Sequence, residues 1–412
     1  MTLNLNPTFV GPKENHPLSE ADFQRACKLC DLMLHLHATR RNYLSSAGLD
    51  PSVYLPGNLW ADDFCPENFQ KIVRKDYHTL NHLRFLTYNF TGFSLLLMEA
   101  VKNLPNLQEV PKDVDKQVRA VAKKALPLVV DFYKRVTPDI PKEYVVVAPR
   151  IFGESGWDLG GTIVNLDNWS TQQRINALYC SGIIDFLKKA QEKRGYCRVV
   201  EIGAGYGNLA YSLKRMVGDI DYFVVDLPES MVYSSIYLST VRADENWVVA
   251  QPGEQIGTHN VGTSFIPNHL LDEFLPQIGE VDLVINVLSL SEMAENQVRY
   301  YGETISQLIG RQGVFFEQNY REPGVHVDVV AVLKEKLGYL RELEETVAPH
   351  RGRGDARIWA NNYNSIFDIE DQLRGSTYWD RPKTQKSSAF KIPRTELSLV
   401  RQGHQRCLEE PV

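Results

Sequence analysis

The sequence predicts an α/β fold: a Rossmann-like, mainly parallel doubly wound sheet with an antiparallel edge strand, preceded by an N-terminal helical region. After residue 195, five short apolar runs alternate with helix-length spacers: RVVEI, YFVVDL, GTSFIP, VDLVINVL and GVFFEQ. This alternation is typical of crossover units, whose parallel strands are covered by helices on both faces. Two later runs, at 340–347 and 356–360, fit an antiparallel pair at the edge.

The first 145 residues are predicted to be mainly helical, without strands. Ser19 and Asp22 form a capping-box pattern that starts a helix extending to about Gly48. Further helices are predicted at 66–74, 80–102, 112–135 and, just before the sheet, as one long helix at 168–194. We therefore divide the chain into an N-terminal helical region that covers the acceptor site or builds a dimer (1–145), a sheet domain (146–365) and an unassigned tail (366–412).

Composition excludes several classes of partner. The chain has 412 residues, a formal net charge of −6 and 43% hydrophobic residues, so we expect no nucleic-acid partner. No window approaches the roughly 18 apolar residues of a membrane span, no secretory leader pattern is visible, and no membrane partner is expected. Six cysteines are too few for a disulfide framework in a chain of this size. We therefore expect a cytoplasmic protein.

Glycines occupy every second position directly after the first predicted sheet strand. Gly203, Gly205 and Gly207 follow Glu201, which gives the pattern E-x-G-x-G-x-G. The dinucleotide fingerprint needs its third glycine where this chain has Asn208. The spacing therefore favours S-adenosylmethionine (SAM), which lacks a pyrophosphate, and glycines would let the backbone approach that ligand closely. An NAD site and an ordinary tight turn are the alternatives.

Two polar residues follow the next predicted strands. Asp226 ends the second strand, about 20 residues beyond the turn, where a carboxylate can accept both ribose hydroxyls. Asn268 follows the third strand and is a candidate for the adenine edge, although an asparagine after a proline is equally typical of a helix cap. The glycine turn and Asp226 together predict the cofactor site.

A longer set of motifs resembles one known family. The stretches are IFGESGWDLGGTIVNLDNWSTQQRINALYCSGI, EIGAGYGNLAYSLK, YFVVDLPESM, INVLSLSEM and FFEQN. Over roughly residues 145–330 they resemble the bacterial sugar O-methyltransferase family. The resemblance implies a class I SAM-dependent methyltransferase domain that acts on a glycosyl acceptor: a free sugar, a nucleotide-linked sugar, a glycosylated natural product or a surface polysaccharide. Where the family has His-Asp-Thr, this chain has Leu166, Asp167 and Asn168.

The resemblance also implies duties for further residues. Tyr206, Leu227 and Asn286 would lie around the cofactor. Gln172 and Arg174, on the helix before the first sheet strand, would face the methionine carboxylate or the site entrance, while Arg174 could equally pair with a surface acid. Helical N-terminal regions often build dimers, so a homodimer is a further expectation.

Methyl transfer to a hydroxyl needs in-line positioning and a group that accepts the proton. The candidates beyond the fourth and fifth strands are His326, Glu292 and Asn319, with Asp328 or Glu292 orienting the imidazole. His326 could also be a loop residue that contacts only water, and Glu292 could cap a helix. No metal-ligand spacing is visible, so no metal is predicted and metal dependence stays open.

Three alternative functions also stay open. They are methylation of a small molecule that is not a sugar, NAD-dependent oxidation and reduction, and SAM binding without catalysis.

Cys27 and Cys30, with His35 and His37 nearby, resemble a zinc motif. All four lie inside one helical pattern without a second ligand pair, so we predict that they pack in the helix interface.

Overall fold

The computed structural model describes most of the chain up to residue 361. The described residues are 7–57, 64–87, 110, 112–137, 140–256, 261–320, 326–343 and 356–361. The tail predicted at 366–412 and most of the helix predicted at 80–102 lie outside these ranges.

Short helices and one long helix build the described N-terminal region. Helix α1 (Glu20–Ala47) begins where the Ser19 side chain accepts the N–H of Asp22 and ends at Gly48, whose φ is 67°, as predicted. The others are α2 (Pro51–Tyr54), α3 (Phe64–Val73), α4 (Tyr77–Asn81), α5 (Leu83–Leu86) and α6 (Val114–Val136). The helix predicted from residue 80 is broken at His82, because the Arg84 N–H bonds to the Phe152 carbonyl (3.0 Å) across the fold.

A small antiparallel sheet contradicts the prediction that the first 145 residues lack strands. Strand β1 (Thr8–Val10) pairs with β2 (Gly156–Asp158), which pairs with β3 (Ile163–Val164). Strands of two or three residues are too short to show a period in the sequence. Their pairing joins the start of the chain to the segment that precedes the large sheet.

The large sheet has the predicted Rossmann-like architecture. Its strands are β4 (Cys197–Ile202), β5 (Ile220–Asp226), β6 (Asn246–Val249), β7 (Gly262–Pro267), β8 (Leu283–Val287), β9 (Val314–Gln318), β10 (Gly338–Leu343) and β11 (Ala356–Ala360). Their order is β10-β11-β9-β8-β4-β5-β7-β6. Neighbours from β9 to β6 are parallel, and β11 is antiparallel to both β9 and β10, which confirms the antiparallel pair.

The strand order locates a binding crevice. From β4 the chain builds outward through β5 and β7, and it then returns to the other side of β4 with β8. Ligands of open parallel sheets bind outside the carboxyl ends of the strands at such a reversal. The crevice therefore lies over the carboxyl ends of β4, β5 and β8. Strand β6, at the exposed edge beside β7, was not predicted.

Seven further helices surround the described sheet. They are α7 (Leu166–Cys180), α8 (Ile183–Arg194), α9 (Asn208–Val217), α10 (Pro228–Val241), α11 (Leu271–Ile278), α12 (Glu295–Ile309) and α13 (Val329–Leu333). The single helix predicted at 168–194 is wrong. Gly182 breaks it into α7 and α8 because its φ of 83° lies in the left-handed region that glycine adopts readily.

The N-terminal helices and the sheet share one hydrophobic core. A continuous cluster of buried side chains includes Met33 and Leu36 of α1, Phe69 of α3 and the strand residues Val200 and Val224. The boundary predicted at residue 145 therefore marks a change of secondary structure within a shared core. No helix in the described part of the chain combines the length and apolar character that crossing a bilayer requires.

Candidate functional site

The glycine turn connects β4 to α9 in a left-handed conformation. The φ angles of Gly203, Gly205 and Gly207 are 75°, 59° and 96°. A Cβ on Gly203 would lie 2.3 Å from Oγ of Ser289, and one on Gly207 would lie 3.0 Å from Cγ of Leu238. Backbone conformation and protein neighbours therefore explain these two glycines, whereas the sequence interpretation attributed them to the approach of a ligand.

Glu201 lies inside the sheet below the turn. Its side chain is buried, and Oε2 accepts the hydroxyl of Tyr222 at 2.7 Å. Burial raises the pKa of Glu201 to about 7, and the hydrogen bond from Tyr222 and the positive charge of Arg174 oppose the rise. Arg174 of α7 is half-buried, and it lies close enough to Glu201 for its charge to lower that pKa.

Gln172 is a correction to the sequence interpretation, because its side chain is used in packing. Oε1 accepts the N–H of Val146 (2.7 Å), and Nε2 donates to the Tyr144 carbonyl (3.0 Å) and to Oδ1 of Asn176 (2.8 Å). Gln172 therefore binds α7 to the 144–146 segment. Residues two apart on a helix lie on different faces, so Arg174 does not share these contacts, and its charge lowers the pKa of Glu201 instead.

Asp226 lies at the end of β5, beside the end of β4. Its carboxylate accepts the backbone N–H of Leu227 at 2.8 Å, and the backbone N–H groups of Leu227 and Gly205 both lower its pKa. Desolvation raises the pKa of Asp226 to about 8, with a smaller contribution from the charge of Glu201. Asp226 and Leu227 are both half-buried, and Leu227 is the N-cap residue of α10. The Gly203 N–H donates to the carbonyl of Val225 at 2.9 Å, so the glycine turn contacts the residue that precedes Asp226.

Tyr206 is held inside the turn by aromatic and cationic neighbours. The side chain is 3% exposed, and its ring lies 5.0 Å from that of Tyr237 in an edge-on arrangement. The guanidinium carbon of Arg84 lies 3.6 Å from the ring centre. Within the described residues the Tyr206 hydroxyl has no hydrogen-bond partner.

Asn268 contacts a segment that sequence reasoning did not place at the site. It follows β7, it is buried, and its Nδ2 donates to the Tyr54 carbonyl at 2.8 Å. Gln297 of α12 donates to the carbonyls of Val53 (3.1 Å) and Leu55 (2.8 Å). Residues 50–57 thus form a strap across the β7 side of the crevice. No local pattern reveals contacts between residues more than 200 positions apart.

Asn286 and Asn319 form part of the framework of the β8 loop. Asn286 donates to the Ile202 carbonyl (2.9 Å) and Ser289 Oγ (2.5 Å), and its Oδ1 accepts Nδ2 of Asn319 (3.1 Å). Asn319 also accepts the Ser291 N–H (3.1 Å) and is 1% exposed. These contacts give Asn286 a structural role without a cofactor. They correct the catalytic assignment of Asn319, because its buried amide is engaged by the protein.

His326 lies at the same edge of the sheet, held by a backbone carbonyl. Its Nδ1 is 3.2 Å from the carbonyl oxygen of Ser291, and its ring stacks on Tyr320 with a centroid distance of 4.8 Å. The exposed Asp328 instead caps α13 by accepting the N–H of Ala331 at 3.1 Å. The predicted orienting role of Asp328 is therefore wrong.

Glu292 is the residue that follows Ser291 in the chain. It is half-buried and ends the short 3-10 turn Leu290–Glu292. The next helix, α12, has Ala294 as its N-cap residue, and Gln297 accepts the N–H of Ala294 at 2.9 Å. Glu292 is therefore not the cap of that helix, and it shares the edge with His326.

The described residues contain no group of three or more His, Cys, Asp or Glu side chains that could hold a metal ion. Cys30 is buried with its Sγ 3.6 Å from the Ile72 carbonyl, and burial raises its pKa to about 12. His37 lies 3.3 Å from Oε1 of Glu229. Cys30 and His37 therefore pack against neighbouring elements, as predicted, whereas His35 is exposed, so the packing prediction is wrong for that residue.

The fold is similar to solved structures of methyltransferases. A TehB-like SAM-dependent methyltransferase from Corynebacterium glutamicum is 16% identical, over 46% of this chain and 95% of that chain, with a TM-score of 0.30. A SAM-dependent methyltransferase from Clostridium acetobutylicum is 12% identical, over 44% and 91%, with a TM-score of 0.28. PKMT2 from Rickettsia typhi, solved with AdoHcy, is 12% identical, over 35% and 26%, with a TM-score of 0.26.

No protein-family model matches the chain, and no curated protein matches it. With identities of 16% or less and TM-scores of 0.30 or less, these similarities carry no argument about the function of this chain. The function therefore rests on the residues of the site itself.

Proposed function

We propose that this chain binds SAM over the carboxyl ends of β4 and β5 and transfers its methyl group to a hydroxyl of a sugar or glycosylated small molecule. One observation carries the cofactor assignment. The glycine turn, which has Asn208 where a dinucleotide site has its third glycine, donates the Gly203 N–H to the carbonyl of Val225 at 2.9 Å. The carboxylate that would bind the ribose thus lies one residue beyond a strand position that is bonded to the turn that would hold the methionine portion.

The residues around the crevice fit this cofactor. A carboxylate has about four lone-pair positions, so Asp226 keeps acceptor capacity beyond the N–H of Leu227. The Tyr206 hydroxyl and Oδ1 of Asn268 are buried without partners in the described part of the chain. Buried polar groups are normally hydrogen-bonded, and the ribose, the amino acid portion and adenine supply suitable groups.

Charge favours SAM over a pyrophosphate ligand. Burial raises the pKa of both Glu201 and Asp226, because their ionised forms lack solvation. A cation near these carboxyls would favour their ionised forms, and SAM carries a sulfonium. A pyrophosphate would instead add negative charge beside two acidic side chains.

When bound, SAM would supply an electrophilic methyl group on sulfur. The chain must then hold the acceptor oxygen in line with that methyl group and remove its proton. A proton on Nδ1 of His326 satisfies the Ser291 carbonyl and leaves Nε2 free to accept the hydroxyl proton. Glu292, one residue beyond Ser291, is the second candidate for this role.

The acceptor class in this proposal rests on the family resemblance of residues 145–330. A small-molecule glycosyl acceptor is the proposed partner, with neither nucleic acid nor a membrane. The N-terminal region would cover the crevice, as its strap at 50–57 does on the β7 side. The proposed location is the cytoplasm.

Calorimetric titration with SAM and with NAD tests the cofactor assignment. We expect SAM to bind and NAD not to bind, with Asp226→Ala weakening SAM binding at least about tenfold through loss of hydrogen bonds to a charged group. Asp221→Asn is the matched control, because Asp221 begins the same strand at its opposite end beside Arg198. NAD binding, or equal affinity in Asp226→Ala, would overturn the assignment.

A panel of sugars and glycosylated small molecules then tests the reaction. Formation of S-adenosylhomocysteine that depends on a glycosyl acceptor supports the proposal. SAM binding without turnover on any acceptor would instead favour a binding module.

A further inference from the structure

A buried group of charges lies beneath the glycine turn. Arg84 of α5 is 1% exposed; its Nε donates to Oε2 of Glu154 and its Nη2 to Oδ2 of Asp167, both at 2.7 Å. Nη1 donates to Oγ1 of Thr87 at 2.6 Å. Glu154 and Asp167 are themselves 1% and 3% exposed. Arg84 therefore joins α5 to the segment that contains Glu154 and Asp167, 70 or more residues further along the chain.

This group contacts the turn at two places. The guanidinium face of Arg84 lies on the ring of Tyr206, 3.6 Å from its centre. On the other side, Asn168 donates to Oε1 of Glu154 (3.1 Å) and accepts Nδ2 of Asn208 (2.9 Å). Tyr206 and Asn208 flank Gly207, so both neighbours of this left-handed glycine are held by the same network.

Stability alone is a poor explanation for this arrangement. Desolvating three charged groups is costly, and a buried ion pair often stabilises a protein no better than apolar residues of similar volume. Arginine, however, has a planar face and a fixed fork of donors, so it can bind two carboxylates and stack on a ring at the same time. That combination specifies the position of Tyr206 more closely than apolar packing would.

We infer that Arg84 is a positioning residue, which holds the glycine turn in its cofactor-binding conformation through the ring of Tyr206. The inference rests on the proposed function for the identity of the cofactor. It makes the helical N-terminal region a determinant of cofactor affinity, because Arg84 reaches the turn from α5. The network would then order the turn before the cofactor arrives.

Arg84→Lys tests this inference. Lysine keeps the positive charge but lacks the planar face and the fork. The matched control is Arg198→Lys, since Arg198 donates to the Ile278 carbonyl at 3.0 Å and pairs with the buried Asp221 at the end of the sheet opposite the crevice. Calorimetry with S-adenosylhomocysteine and with SAM, below both unfolding midpoints, gives the affinities, and thermal unfolding gives the stabilities.

We expect Arg84→Lys to weaken binding of both ligands at least about tenfold, because small misplacements of binding groups are costly. Arg198→Lys should lose stability but change affinity less than about threefold. Equal affinities for Arg84→Lys and the wild type would overturn the inference. So would a loss of affinity in Arg198→Lys as large as that in Arg84→Lys.

Amide hydrogen exchange of the unliganded proteins separates this inference from the cofactor assignment. Residues 203–208 should exchange faster in Arg84→Lys than in the wild type, and unchanged exchange there would contradict the inference. If the wild type binds neither ligand, the cofactor assignment fails while this measurement still decides the role of Arg84. Should Arg84→Lys not fold, Tyr206→Leu is compared with Tyr206→Phe, which keeps the stacking ring and removes only the hydroxyl. Affinity at least about tenfold weaker, and faster exchange at 203–208, in Tyr206→Leu than in Tyr206→Phe would support the inference, and equal values would overturn it.

Discussion

Gly203 and Ser289 approach so closely that a Cβ on the glycine would lie 2.3 Å from Oγ of Ser289 and 2.6 Å from its Cβ. The φ of Gly203, 75°, adds a conformational cost for any other residue. We predict that Gly203→Ala destabilises the protein by on the order of 3 kcal/mol, from left-handed strain and overpacking together. Denaturant unfolding measures this loss.

Two further variants separate the contributions. Gly203→Ala combined with Ser289→Gly removes the clash and leaves the strain, so it should recover part of the lost stability. Gly207→Ala should be milder, because its nearest neighbour is the flexible end of Leu238 at 3.0 Å. No recovery in the double variant would contradict the steric account.

The raised pKa of Asp226 predicts pH-dependent cofactor binding. The ribose hydroxyls would donate to the ionised carboxylate, whose fraction increases until the pH passes the pKa of about 8. SAM affinity should therefore rise between pH 6 and about 8 and then level off. Calorimetry across this range measures the affinity. Comparison with Asp226→Asn separates the effect of Asp226 titration on affinity from the effect of titration of the SAM amine. The same pH slope in both proteins would count against the ribose contact.

The contribution of Asp226 to the stability of the unliganded protein should fall as pH rises, whereas SAM affinity should increase. The folded-state pKa of Asp226 lies above its ordinary value of 3.8, so the folded state binds more protons. The contribution of this group is therefore favourable at low pH and is lost as pH rises from about 4 to about 8. Asp226→Asn should flatten that part of the stability profile.

His326→Ala should lower turnover on the order of 100-fold while leaving SAM affinity unchanged, if Nε2 removes the acceptor proton. Steady-state turnover with an active acceptor and calorimetry with SAM give the two quantities. Asp328→Ala is the control, since Asp328 caps α13 and should alter stability rather than turnover. Near-normal turnover of His326→Ala would transfer the role to Glu292.

Arg40 and Glu229 form a two-bond ion pair between α1 and α10. The bonds are 3.0 and 2.6 Å long, and both side chains are at least nine-tenths buried. Arg40→Met should cost about 3–5 kcal/mol, because it leaves the carboxylate buried without its main partner. Adding Glu229→Gln should recover much of this loss in denaturant unfolding. A double variant as unstable as the single one would show that packing, rather than charge, dominates.

The Arg40–Glu229 ion pair also predicts part of the loss of protein stability at low pH. Burial alone would raise the pKa of Glu229, but the hydrogen bond from His37 and the charge of Arg40 bring it down to about 2. A lowered folded-state pKa contributes stability above the ordinary value of 4.5, and that stability is lost as pH falls towards 2. Arg40→Met should be less sensitive to pH in this window, which unfolding at several pH values measures.

Local patterns in the sequence were enough to predict the parallel strands and the glycine turn. Apolar runs bounded by helical spacers identify β4, β5, β7, β8 and β9, because burial on both faces imposes that composition. The glycine spacing could be recognised because a left-handed turn directly after a strand favours glycine. Asp226 could be recognised because it directly follows an apolar strand pattern. The break at Gly182 was missed because a single glycine inside a helical pattern need not end a helix. The short strands β1 to β3 were missed because pairing between distant segments decides them.

The sequence by itself thus determined the sheet, the turn and the acid at the end of β5. Only the tertiary structure decided which polar residues support the framework. Gln172 and Asn319 carry the residue types expected of a site, but their amides are bound by backbone and side chains brought close by folding. Arg84 lacked any motif, and the structure places it on Tyr206. Side-chain partners depend on contacts between distant segments, and no local period encodes those contacts.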